Sequence, residues 1–349
     1  VKRLAAVLPC LLAAASALAA APPSWCVAVW YPSSDHPGGY DTIIASADVI
    51  DIVFPFWFTP DAEGAILSQA GTNWEDQVAA WRAAGLLVLP SVFATHSTFM
   101  AEPLLSAHVA ALVALVEAGD FDGIDLDYEM FPLATRATFS GFVEALGAAM
   151  HERGKLLSVT VHAKTEANPS GFPSAAAQDW PRLAAAADLF NVMTYDFTNR
   201  NEAPGPVAPR SWVARVVEYG LSAVGERQLL VGMPLYGYTW KRGRPPAAAT
   251  TWEATERLIT QFGLTPQREP DSLELRVDLD VTGLPKQTVY VSDGATTAGR
   301  LAALAAAGAL GGGVAIWGLG GEDPAAWDAI RTVRPAACAL RPHGAEAAR

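Results

Sequence analysis

Strand-like and helix-like segments alternate along almost the whole chain, and this alternation limits the possible folds more than any other feature. Short runs of β-branched and aromatic residues occur at Cys26–Tyr31, Val49–Phe54, Leu86–Val92, Gly123–Tyr128, Leu156–Val161, Phe190–Thr194, Leu229–Leu235 and Gly313–Trp317. Between and after them lie Ala/Leu-rich helical patterns, near Asn73–Ala84, Leu104–Ala118, Thr138–Arg153, Pro181–Ala187, Ser211–Ser222, Thr296–Ala307 and Pro324–Thr332. Strands separated by helices form parallel sheets with right-handed crossovers. Eight such units are the number that closes a (β/α)8 barrel. An open doubly wound sheet is the competing α/β architecture, but no glycine-rich nucleotide loop follows the first strand.

Three stretches do not follow the repeat. Residues 241–292 are too long for one helical crossover and hold a helix-like segment, Trp252–Phe262, and alternating runs at Leu273–Leu279 and Thr288–Val291. They are expected to form a small α+β insertion between strands seven and eight, on the barrel face that carries active sites, where insertions often wall a groove. At the start, Lys2 and Arg3 precede an apolar run that ends in small residues, with Ala17-Leu18-Ala19 fitting a cleavage site. Residues 1–21 thus read as a secretory signal peptide, placing the protein outside the cytoplasm, secreted or periplasmic, with no membrane span after cleavage. A tail over 334–349 lacks periodicity and is expected to fray. The segment 22–333 is then one catalytic-sized domain.

Of the three cysteines, Cys26 lies at the start of the first strand and Cys338 beyond the last helix. In an exported chain the two are expected to pair as a disulfide, with two separate buried thiols as the alternative. Neither a Cys/His cluster nor a CxxC suggests a metal, and no cofactor is expected. With 24 Lys and Arg against 36 Asp and Glu, the long-range field has the wrong sign for nucleic acid or an anionic membrane.

The chemical signal lies in residues 121–129, Phe-Asp-Gly-Ile-Asp-Leu-Asp-Tyr-Glu. On a strand, Asp125, Asp127 and Glu129 share one face and Ile124, Leu126 and Tyr128 the other. If the apolar face packs on the helices, the carboxyls point into the barrel. Alternate residues stand roughly 6–7 Å apart along a strand, so three like charges held this close push at least one pKa up. Such an arrangement does not help folding and points to chemistry. Glu129, outermost, lies at the end of the strand where barrel active sites form. A divalent cation held by the three carboxyls is the alternative, but no His or Asn nearby completes a ligand set.

The stretch Asp122-Gly-Ile-Asp-Leu-Asp-Tyr-Glu129 resembles the D-G-x-D-x-D-x-E signature of glycoside hydrolase family 18, the chitinases and related β-N-acetylglucosaminidases. The likeness continues through Met193-Thr-Tyr-Asp196, Gly232-Met-Pro-Leu-Tyr-Gly-Tyr-Thr-Trp240 and Gly313-Val-Ala-Ile-Trp317. Pro204-Gly-Pro-Val-Ala-Pro209 with Trp212 is similar to the branch of spore-cortex-lytic N-acetylglucosaminidases and chitinase-domain-containing proteins. One departure is Pro90-Ser-Val-Phe93, where many chitinases carry S-x-G-G.

The resemblance implies a (β/α)8 barrel and a retaining, substrate-assisted mechanism. Glu129 is then the acid/base, Asp127 orients the substrate's acetamido group, Asp125 shares a proton with Asp127, and Tyr195 donates to the acetamido oxygen. Asp196, Met193 and Tyr236 are expected to bind substrate, and Trp317 to stack under the sugar. The implied partner is a GlcNAc-containing glycan, either chitooligosaccharide or peptidoglycan, acted on by a monomer. A lectin-like barrel without turnover is the reading from another class.

Overall fold

The computed structural model describes residues 25–32, 38–334 and 338–342, so the expected leader, residues 1–21, lies outside the described residues. Eight parallel strands close on one another: β1 (Cys26–Tyr31), β2 (Ile52–Pro60), β3 (Leu87–Val88 continued by Ser91–Ala94), β4 (Gly123–Tyr128), β5 (Leu156–His162), β6 (Leu189–Met193), β7 (Leu229–Pro234) and β8 (Gly313–Trp317). Each pairs with its sequence neighbour, and β8 closes the ring onto β1 in the register Cys26↔Gly313 to Val29↔Ile316. This is the (β/α)8 barrel expected from the alternation.

Period-two side-chain alternation sorts each strand into two environments. Val29, Val53, Ile124, Leu126, Val159, Val161, Phe190 and Ile316 face outward into the core between barrel and helices. Ala28, Trp30, Ile52, Phe54, Leu156, Leu189, Leu230 and Ala315 fill the barrel interior. The helices answer the outward face with amphipathic stripes. In Arg136–His151, the buried Phe139, Phe142, Val143, Leu146 and Met150 recur at helical spacing. No helix among the described residues is long and apolar enough to cross a membrane.

The insertion is a five-stranded antiparallel sheet in the order Ala248–Thr251, Tyr236–Lys241, Gln287–Val291, Leu275–Leu279, Gln267–Arg268. Helix Trp252–Phe262 packs on it through Trp252, Leu258 and Ile259 against Val277, Val289 and Val291. The sheet begins at Tyr236, five residues before the expected boundary at 241. One residue, Leu235, separates it from β7, and the Leu235 N–H donates to the Trp317 carbonyl at 2.9 Å.

The chain ends are tied at the bottom of the barrel, opposite the mouth. Cys26 and Cys338 form a disulfide. The tail expected to fray from Arg334 is docked in its described part. Arg334 pairs with Asp51 at 2.5 Å, the Cys338 N–H donates to the same carboxylate, and Leu340 packs on the lower barrel core. The apolar lower rim and the half-buried Asp51 supply partners that the sequence pattern of the tail does not reveal.

Candidate active site

At the C-terminal ends of the strands the barrel opens into a cleft of about 990 Å³. Asp125, Asp127 and Glu129 rise along the inner face of β4, and the Glu129 N–H is fixed to the Ala94 carbonyl of β3 at 2.8 Å.

Asp125 is fully buried. Its Oδ2 accepts from Trp30 Nε1 (3.1 Å) and Ser91 Oγ (2.6 Å), and its Oδ1 from Ser158 Oγ (2.7 Å), Thr160 Oγ1 (3.0 Å) and Asn191 Nδ2 (3.2 Å). Parallel register makes this ring possible, because Ser91, Asp125 and Ser158 stand opposite one another on β3, β4 and β5. Burial pushes the Asp125 carboxyl up, while the donors from Ser91, Ser158, Trp30 and Thr160 pull it back. Ser91 belongs to the segment that departs from S-x-G-G. It keeps a hydroxyl on Asp125, while Phe93 two positions later packs 5.5 Å from Phe56 in the cleft.

Asp127 has no such ring, and its Oδ1 is buried without a hydrogen-bond partner. Burial first, then the charges of Glu129 and Asp125, hold its carboxyl well above the usual range. A side-chain hydrogen bond joins it to Glu129. Asp125, expected to share a proton with Asp127, has both oxygens occupied by its five donors. Burial raises Glu129 to about 7, with the Asp127 hydrogen bond pulling down and the Asp196 charge pushing up.

Tyr195 follows β6 and lines the cleft; burial and the surrounding carboxyls keep its phenol protonated, hence a donor. A β-carbon at Gly232 of β7 would stand 2.9 Å from Tyr195 Cε1 and 2.5 Å from the Val192 carbonyl, so only glycine lets the ring lie here. Met193 and Trp317 also line the cleft. Trp317 is braced edge-on by Trp30 at 6.3 Å and Phe56 at 5.7 Å, leaving a face to the opening. Exposed Phe172, Phe197 and Met130 extend this apolar surface along the rim, with Phe197 5.3 Å from Trp212. Two rim residues, Met130 and Asp196, hold left-handed backbone at φ 61 and 57, strain of the kind that collects at functional sites.

Asp196 lines the cleft, and its Oδ1 accepts from the hydroxyls of Tyr236 and Tyr238, the latter at 2.9 Å. Tyr236 was expected to touch substrate, but it stands one layer back with its hydroxyl committed to Asp196. The insertion therefore buttresses the cleft from behind and does not wall it. A second brace is Glu274 of the insertion, which accepts from the Val207 and Ala208 amides and from Arg300 at 2.6 Å. It clamps the Pro204–Pro209 segment that follows Asp196.

Sequence reasoning missed His162 at the end of β5, whose Nε2 lies 3.6 Å from Glu129 Oε2. The signal was present, because Ser158, Thr160 and His162 alternate on the inner face of an otherwise apolar strand. It also missed Gln178 and Lys164, which come together only through the fold of the loop after β5.

Residues 99–298 match the model described as Glycosyl hydrolases family 18. The chain belongs to glycoside hydrolase family 18. Among solved structures it is similar to a chitinase from Chromobacterium violaceum, with a TM-score of 0.81, 25% identity, and 88% of this chain and 98% of that one covered. It shares its fold with the Bacillus cereus spore cortex-lytic enzyme SleL (TM-score 0.81, 17% identity, covering 89% of this chain and 75% of that one). Among curated relatives it is 25% identical to the uncharacterized glycosylase YvbX of Bacillus subtilis over 223 residues, 63% of each chain. It is 26% identical to a cortical fragment-lytic enzyme of Bacillus anthracis over 147 residues, 40% of this chain and 33% of that one. The chain thus spans between 33% and 63% of the length of these two curated relatives.

Proposed function

We propose that this family 18 member is an exported, retaining β-N-acetylglucosaminidase of the chitinase type, cutting β-1,4-linked GlcNAc glycans. The observation that carries the reading is the unpartnered Asp127 Oδ1, buried beside Glu129 at the foot of the cleft. A buried acceptor without a donor costs free energy, and the N–H of a 2-acetamido group is a donor of the right kind to fill it.

The steps follow from the protonation states. Asp127, held protonated, is a poor nucleophile, so the substrate's own acetamido oxygen attacks the anomeric carbon. As that bond forms, the glycosidic C–O bond breaks and the Glu129 proton passes to the leaving oxygen. The pair Asp127–Glu129 then carries one negative charge facing the cationic oxazolinium ring. Tyr195 donates to the acetamido oxygen. Water next attacks the anomeric carbon from the leaving-group side, the bond from that carbon to the acetamido oxygen breaks and restores the N-acetyl group, and the water's proton passes to Glu129, so configuration is retained.

The cleft supports an uncharged glycan. Among the described residues no lysine or arginine lines it, while Asp127, Glu129, Asp196 and Glu202 do. An acidic site without a cation disfavours a sugar with a free carboxylate, which places chitooligosaccharides ahead of peptidoglycan bearing free lactyl acids. Export is supported by the leader-like sequence and by the disulfide, which suits an oxidising compartment.

The test is incubation with N-acetyl-chitooligosaccharides and, separately, with peptidoglycan, reading products by mass spectrometry alongside Glu129→Gln. Cleavage of the chitooligosaccharides by the wild type alone is expected. Saturable binding with no cleavage by either form would replace this reading with a lectin.

A further inference from the structure

His162 faces Glu129 from the end of β5, and the proposed steps do not use it. It is 8% exposed, its Nε2 lies 3.6 Å from Glu129 Oε2, and that nitrogen is buried with no hydrogen-bond partner. The surrounding structure holds it there. Gln178, fully buried, accepts the His162 backbone N–H on its Oε1 at 2.8 Å and donates from its Nε2 to the Tyr128 carbonyl at 3.2 Å. One amide thus ties the end of β5, at His162, to the end of β4, at the residue before Glu129. Buried Lys164 gathers the connecting loop by donating to the carbonyls of Ala167, Ala175 and Gln178. Phe172 covers the imidazole, ring centres 4.5 Å apart. A barrel strand end has no folding need for a histidine aimed at a carboxyl, and three residues of one loop fix its height and direction.

We propose that His162 is a positioning residue for Glu129, its Nε2–H donating to the carboxylate once the acid proton has left for the leaving sugar oxygen. The proposal rests on the reading of Glu129 as the acid. Burial lowers His162 to about 4, so near neutral pH the ring is uncharged and carries one N–H. Against the ionised carboxylate a bare nitrogen would set lone pair against lone pair, so in that state the proton belongs on Nε2. A neutral donor favours the ionised carboxyl without a full charge. It keeps the Glu129 pKa from rising further and holds the oxygen that must later receive the water proton. Other groups around the pair are accounted for. Strand β4 presents Asp127, the segment after β6 presents Tyr195 and Asp196, and the loop presents Lys164, turned onto carbonyls, and exposed Glu166.

Kinetics across pH on a chitooligosaccharide, with His162→Ala and His162→Gln, test this. His162→Ala is expected to lower kcat about tenfold with KM within about twofold, since removing a positioning partner weakens general acid catalysis. Its alkaline limb should move up by about half a pH unit, since the ionised carboxyl loses a donor. His162→Gln, whose amide N–H reaches the same place, should restore the limb and most of kcat. Nitrogen NMR of histidine-labelled wild type, assigned by the signal lost in His162→Gln, gives a measurement that needs no active variant. The Nε2–H form is expected, shifting as Glu129 titrates and unresponsive in Glu129→Gln. Coincident limbs for wild type and His162→Ala, a glutamine variant no better than alanine, or a proton on Nδ1 would each overturn it. If the wild type cuts no glycan, the function reading fails while the NMR still decides the contact.

Discussion

Asp125 and Asp127 stand two positions apart on one strand, yet the first accepts hydrogen bonds from Trp30, Ser91, Ser158, Thr160 and Asn191 while an oxygen of the second has no partner. The difference comes from height in the barrel. At the level of Asp125 the inward positions of β1, β3, β5 and β6 carry polar side chains. At the level of Asp127 the β3 neighbour is Phe93, and the barrel opens into the cleft. One carboxyl is thereby fixed as structure and the other left free for a ligand.

Removing the fixed carboxyl should cost stability before it costs chemistry. Asp125→Ala removes the acceptor of a tryptophan N–H, an amide and three hydroxyls in a fully buried site. The expected loss is on the order of 3–5 kcal/mol, the range for breaking a buried charged network. Urea denaturation measures it, and a midpoint within error of wild type would show that the ring contributes nothing to folding.

Glu129→Gln should lose activity about a hundredfold or more, the typical worth of a general acid, and should also change how stability depends on pH. The wild-type carboxyl is raised from 4.5 to about 7 on folding, so the folded chain holds this proton more tightly than the unfolded one. The stabilisation is full below pH 4.5 and is lost as pH rises through 7. Glutamine removes the ionisation. At pH 8 the variant is expected to be more stable than wild type by up to about 3 kcal/mol, and the gap should close towards pH 4. Parallel denaturation curves at the two pH values decide it, and an unchanged gap would argue against a raised Glu129.

Much of this was legible in the sequence, and the failures have physical causes. β1, β4 and β8 were read to the residue because their runs are apolar on the outward face and bounded by turns. The run Val49–Phe54 gives β2 only in part, since the strand spans Ile52–Pro60 and runs through Pro55. Proline is tolerated there just ahead of a register irregularity between Phe56 and Phe58. Glu129, Asp127, Tyr195, Met193, Asp196 and Trp317 do converge on one cleft, because period-two alternation and strand ends fix their placement. Tyr236 was misplaced because nothing in Leu235-Tyr236 marks the point where the chain leaves the barrel for the inserted sheet. Gln178 was invisible because its contact with Tyr128 spans 50 residues and depends on a loop fold that no period encodes.

Gly232→Ala adds one methyl group and should impair catalysis. The new β-carbon would meet the Val192 carbonyl, which is backbone and cannot yield, and the Tyr195 ring, which can. The ring is expected to move away from the cleft, lowering kcat about tenfold or more for a donor misplaced by a fraction of an ångström to one ångström. Thermal unfolding should fall as well, because the β-carbon also meets backbone at Val192 and Thr194. Wild-type kcat in a folded Gly232→Ala variant would show that Tyr195 does not act from this position.

The Cys26–Cys338 disulfide should affect stability and leave catalysis alone. It joins residues 312 apart in sequence, at the barrel end opposite the carboxyls. Constraining so long a loop in the unfolded chain is worth roughly 5 kcal/mol in the chain-entropy model, and the docked Arg334–Asp51 pair retains part of the tail's hold without it. Cys338→Ser is therefore expected to unfold at a lower temperature, while kcat and KM at 25 °C match wild type because the disulfide lies at the opposite end of the barrel from Glu129 and Asp127. A calorimetric scan paired with kinetics separates the two effects. Unchanged unfolding with lost activity would mean that the bottom of this barrel communicates with its mouth in a way the packing does not provide.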